Sequence, residues 1–166
     1  MKTWVLRLVL MGALGSAGFW AWSFFFPAPE HVIRKELLEL SKAASIAPNE
    51  APLTKLAKTQ KVLSFFTSDA QVTLDVPGRL TQTLNGHDDL QQASFAARSM
   101  LNNLKVELVD VFVSVGTDKK SAVADLTATA TMPGEKIPEI EELEMTFKKI
   151  DRAWLITRVE TVKTLR

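Results

Sequence analysis

The chain has 166 residues, 20 Lys and Arg against 19 Asp and Glu, and neither cysteine nor tyrosine. Without cysteine, disulfides, thiolate nucleophiles and thiolate metal sites are excluded. The near-neutral balance gives no electrostatic reason to expect nucleic acid as a partner.

The chain opens with a short basic tail, 1–7, carrying Lys2 and Arg7. Residues 8–26, LVLMGALGSAGFWAWSFFF, follow without one charged side chain. As a helix they would span roughly 28 Å at 1.5 Å per residue, close to the hydrocarbon thickness of a bilayer. Gly15-Ser16-Ala17 could serve as a cleavage site, but Phe19-Trp20-Ala21-Trp22 and Phe24-Phe25-Phe26 carry the apolar run well past it. That length argues for a retained single-pass signal anchor over a cleaved signal peptide. Lys2 and Arg7 are nearly matched by Arg34 and Lys35 across the segment, and the short tail favours an N-terminus in the cytoplasm with the domain outside it. Pro27-Ala28-Pro29 stops the anchor as a linker, since proline cannot continue a helix, and leaves 30–166 as one domain close to the membrane.

In that domain Ile33, Leu37, Leu40 and Ala44 recur at helical spacing, predicting a first amphipathic helix. Residues 46–50 break it. Leu53, Leu56, Ala57, Leu63 and Phe66 predict a second helix ending near Thr67. The period then changes to two: Val72, Leu74 and Val76 alternate with Gln71, Thr73 and Asp75, and Pro77-Gly78 turns into a return strand near Leu80–Leu84. A third helix follows Asn85-Gly86, with Leu90, Ala93, Ala97, Met100 and Leu101 on one side. Asp88 and Asp89 in its first turn suit the helix dipole. Leu104, Val106 and Leu108 then alternate with polar residues before Val109, Val111, Val113 and Val115 take the opposite parity, which predicts a bulge near Leu108-Val109. Residues 121–132, the segment around Leu143–Phe147, and Ala153 to about Lys163 complete three further strands.

Three phrases in this order resemble the nuclear transport factor 2-like superfamily, which includes SnoaL-like and ketosteroid-isomerase-like proteins. Phe65-Phe66-Thr67-Ser68-Asp69-Ala70-Gln71-Val72 looks like the family's helix end leading into its first strand. Asn85-Gly86-His87-Asp88-Asp89-Leu90 is similar to the start of its third helix, and Ile150-Asp151-Arg152-Ala153-Trp154-Leu155-Ile156 to its closing hairpin. Arg152-Ala153 departs from the glycine often found there, and 46–52 look like an insertion. The resemblance implies an α+β fold: a cone-shaped, cystatin-like roll in which a curved antiparallel sheet wraps round helices and encloses an apolar pocket. Phe66, Val72, Leu74, Met100, Leu126, Phe147 and Trp154 are the expected pocket lining. In the same family the outer sheet face often pairs two domains, so a homodimer or a partner protein could use that face.

The chemistry expected of an isomerase in this family is missing. Its pocket base lies five residues after the aspartate of the helix-end phrase, which is Leu74 here; Asp75, one residue on, falls on the other side of the strand. The phenol donor has no counterpart in a chain without tyrosine. Asp110, beside the expected bulge, with Arg158 and His87, is the trio that could serve acid–base chemistry. The bland alternatives are an exposed Asp110, a His87 placed at a helix start, and an Arg158 paired across neighbouring strands with Asp125. His31 and His87 are too far apart in sequence to suggest a metal site, and Asp88 and Asp89 do not converge with His87, so neither metal nor cofactor is expected. The leading expectation is a membrane-anchored domain that binds a partner protein or a small apolar ligand without catalysis. The alternatives are a SnoaL-like enzyme acting by acid–base chemistry on a hydrophobic small molecule, and a structural spacer or dimerisation domain.

Overall fold

The computed structural model describes residues 28–75, 81–134 and 137–162. The expected anchor, 8–26, and the basic tail before it lie outside these residues. Among the described residues no helix is long and apolar enough to cross a membrane.

The elements run α1 (Pro29–Ala44), α2 (Pro52–Leu63), β1 (Phe66–Leu74), β2 (Gln82–Asn85), α3 (Gly86–Met100), β3 (Lys105–Val115), β4 (Ser121–Thr131), β5 (Glu139–Ile150) and β6 (Ala153–Thr161). Proline opens α1 and α2, at the position where its missing N–H costs nothing. Pro29 is thus already helical, and the expected linker is shorter by that residue. Gly86 opens α3 at φ +72°; a Cβ there would lie 3.0 Å from the Ser68 carbonyl oxygen, so both the backbone angle and the close approach call for glycine.

The six strands form one sheet in the order β2-β1-β6-β5-β4-β3. Every pairing is antiparallel except β1 with β6, which run parallel. This corrects the expectation of a wholly antiparallel sheet: α3 and the long strands carry the chain back before β6 closes against β1. α1 packs on β3, while α3 packs on β1 and α2. Ile33 and Leu37 of α1 meet Ala124, Phe147, Trp154 and Ile156 of the sheet in one continuous buried core.

Two helices depart from the expected faces, α2 along most of its stripe and α3 only near its C-terminal end. In α2, Leu53 is 81% exposed and Leu56 and Ala57 also face outward, whereas Thr59 and Leu63 are buried. α2 ends at Leu63, and Phe66 already belongs to β1, so the supposed helix-end phrase is mostly strand. In α3, Leu90, Ala93, Ala97 and Arg98 face inward and Met100 is 84% exposed. The cause is Arg98. Its guanidinium donates to the Ala43 carbonyl, to Ser45 O (3.4 Å) and to Glu50 Oε2 (3.1 Å), satisfying carbonyls left open at the α1 C-terminus. Glu50 also accepts from Lys58 Nζ at 2.6 Å and from the Ala47 N–H at 3.0 Å. The segment 46–52, read from sequence as an insertion and ending at the first residue of α2, is thereby pinned to α3 by a buried ionic network. Burial opposes ionisation of Glu50, but hydrogen bonds from Lys58 and the Ala47 N–H, with the charges of Lys58 and Arg98, outweigh it and hold its carboxyl below the usual 4.5.

The expected parity switch in β3 is real but sits further along. Val109 pairs with Thr127 and Phe112 with Asp125, so Asp110 and Val111 together oppose Leu126. Asp110 takes φ +52°, a conformation that Asp tolerates better than most residues. Val109 consequently stays on the outer face, partly exposed, and the inward set resumes at Val111 rather than Val109.

Candidate ligand pocket

A cavity of about 330 Å³ opens on the inner side of the sheet where β1, β3, β4, β5 and β6 meet at one end. Strand register builds it row by row. Val106, Ala130 and Glu139 stand abreast on β3, β4 and β5; Ala128 is beside Glu141; Leu143 is beside Thr161. Leu74 of β1, Gln82 of β2 and Thr129 complete the lining.

The space exists because the inward alanines of β4 divide into two sets. Ala122 and Ala124 are essentially inaccessible beneath the helices, whereas Ala128 and Ala130 lie past the core and line open volume. Small side chains there leave room that Leu or Val would fill. The wall is mainly apolar, and its polar groups are Gln82, Thr129, Thr161 and two carboxylates, Glu139 and Glu141. Desolvation raises the carboxyl of Glu141 above the usual 4.5, and the negative charges of Glu139 and Asp75 push it further. Asp75 is held at the end of β1: its N–H donates to Thr161 Oγ1 at 3.1 Å, and Thr81 Oγ1 donates to its carboxylate at 3.2 Å.

Of the seven lining residues expected from sequence, Leu74 lines this cavity. Phe66, Val72, Leu126, Phe147 and Trp154 are buried in the packed core, and Met100 projects into solvent. The crevice around Phe147, Leu37 and Ile156 has no room even for water. The cone is therefore filled at its helix-covered part and open at one end.

Asp110, Arg158 and His87 do not form a site. Asp110 is exposed in the bulge of edge strand β3. Arg158 is on β6, with β4 and β5 between, about 14 Å away at the usual strand spacing. The same order separates Arg158 from Asp125, which lies on β4, so the anticipated cross-strand pair is replaced by Arg158 with Glu160 at 2.7 Å. His87 Nε2 lies 3.1 Å from the Phe66 carbonyl oxygen, tying the start of α3 to β1. Among the described residues no group of three His, Asp or Glu could hold a metal ion.

Glu139 and Glu141 were missed from sequence, although a signal was present. They share the parity of Leu143, Met145 and Phe147, so the alternation that turns those three inward also turns the two glutamates inward.

In sequence, no family model and no curated protein matches this chain. Solved structures do match in fold. A cystatin-like protein of unknown function from Nostoc punctiforme superposes with a TM-score of 0.62 at 11% identity, covering 84% of this chain and 96% of its own. A nuclear transport factor 2-like protein of unknown function from Pseudomonas putida gives 0.62 at 10%, covering 82% and 87%. A provisionally named scytalone dehydratase from Novosphingobium aromaticivorans gives 0.56 at 14%, covering 81% and 83%. The architecture is thus the α+β, cystatin-like fold of nuclear transport factor 2-like proteins, with a curved six-stranded sheet and three helices among the described residues.

Proposed function

We propose that the domain binds a small, largely apolar ligand in the open end of the cone, without catalysis, and that residues 8–26 anchor it in a membrane with the domain outside the cytoplasm. The observation that carries the binding reading is the cavity of about 330 Å³ walled by Leu74, Val106, Ala128, Ala130 and Leu143. The uncharged length of 8–26 behind Lys2 and Arg7 supports the anchor. The outer sheet face, where Phe112 and Ile140 are exposed among threonines and charges, is the surface a partner protein or second copy would use.

The test is calorimetric titration of the full-length chain, held in phosphatidylcholine nanodiscs, with 3-phenylpropan-1-ol. One saturable site per chain is expected. Ala128→Trp, which fills the cavity, should abolish it, and the milder Ala130→Leu should weaken it while melting shows both variants folded. Binding unchanged in both variants would overturn the reading.

A second reading, a SnoaL-like enzyme doing acid–base chemistry on a hydrophobic small molecule, has one specific observation in its favour. Glu141 is a carboxyl with raised proton affinity in a cavity, the environment that suits a general base. It requires a bound compound to be converted on the protein, and Glu141→Gln to stop conversion while leaving occupancy intact.

A further inference from the structure

The cavity has two chemically distinct parts. Leu74, Val106, Ala128, Ala130 and Leu143 make an apolar wall, while Glu139 and Glu141 project from one face of β5 two residues apart. Successive residues on one face of a strand stand about 7 Å apart along it, close enough for one compact head group to lie between the two carboxylates. Among the described residues, no Lys, Arg or His lines the cavity, and neither glutamate takes part in an ion pair. On the flanking strands Lys105 pairs with Glu107 at 2.8 Å and Arg158 with Glu160 at 2.7 Å. Among the described residues, the lining thus carries negative charge that no cation of that lining neutralises.

From this cavity we infer that the ligand is a small amine: a compact apolar body lying against the β4 alanines, with one positively charged, hydrogen-bond-donating head held by Glu139 and Glu141. This deepens the binding reading and rests on it. An ammonium head supplies several donors to groups that, ionised, only accept. It also relieves the repulsion that Glu141 suffers from Glu139 and Asp75. Both glutamates keep partial contact with solvent, so pairing does not demand full desolvation of the ions. A carboxylate-bearing ligand of the same shape would be repelled, and a neutral one would gain the apolar contacts alone.

Three probes with one skeleton separate these terms: 3-phenylpropylamine, 3-phenylpropan-1-ol and 3-phenylpropanoate, titrated calorimetrically at pH 7 into the full-length chain in phosphatidylcholine nanodiscs. The amine should bind about tenfold more tightly than the alcohol, a difference of about 1.4 kcal/mol, with the carboxylate weakest. Glu139→Gln with Glu141→Gln should remove the preference for the amine and leave the alcohol unchanged. Alcohol and amine binding equally, or an amine preference that survives the double substitution, would overturn the inference and leave the binding reading standing. No saturable binding of any probe, or binding indifferent to both Ala128→Trp and Ala130→Leu, would overturn both.

Discussion

Glu141 is the residue on which the functional reading turns. Because desolvation and the charges of Glu139 and Asp75 lift its folded proton affinity above the ordinary 4.5, the fold favours its neutral form. That stabilisation is fully present below pH 4.5 and is lost as pH rises through the folded value, so at pH 7 the ionised group costs stability. Glu141→Gln should therefore raise the melting temperature at pH 7 and give no gain below pH 4.5, as thermal melts across that range would show; an equal gain at both pH values would exclude this electrostatic origin. The same substitution is expected to weaken amine binding, so stability and binding oppose each other at one side chain. The residue was legible in sequence through parity alone. Glu139 and Glu141 continue the inward alternation of Leu143, Met145 and Phe147, and a carboxylate on that face is costly unless used. Asp110 drew attention instead because it sits beside a bulge, but its φ of +52° accounts for it as a backbone-bending residue in an exposed turn of the strand.

At the scale of elements, the strands were easier to read than the helices. Period-two alternation located β3 to β6, and the parity reversal in β3 revealed the bulge, displaced by two residues because only the register with β4 fixes where the extra residue goes. The apolar stripe misled through most of α2 and at the C-terminal end of α3. Leu53, Leu56 and Met100 are exposed, and the inward position in α3 goes to Arg98, because the open carbonyls of α1 and the carboxylate of Glu50 need a cation there. No helical pattern of apolar residues contains that information; it depends on which helix end comes alongside. Arg98→Ala should destabilise the fold by about 1–3 kcal/mol in chemical denaturation, since it leaves the Ala43 carbonyl open and takes one of two cations from Glu50, which keeps Lys58. A loss under 1 kcal/mol would mean the network is not structural. Glu50 has the opposite pH signature to Glu141: its depressed carboxyl contributes stability above pH 4.5 that disappears as pH falls through the folded value.

For the molecule as a whole, the order of helices and strands carried the fold, while the parallel β1–β6 pairing and the location of open space did not follow from it. Inward-facing is not pocket-lining: Phe66, Val72, Leu126, Phe147 and Trp154 face inward and fill the cone, and the cavity begins only where Ala128 and Ala130 emerge beyond the core. The proposed anchor would hold the open end of the cone near the bilayer, placed to take up a ligand present there. The most direct test is native mass spectrometry of the full-length chain purified from its own cells in mild detergent, beside the Ala128→Trp variant. One small molecule bound per chain in the native protein and absent from the variant is the expected result. A native chain free of small molecules, or the same adduct on both proteins, would contradict a ligand-binding pocket at this end of the sheet.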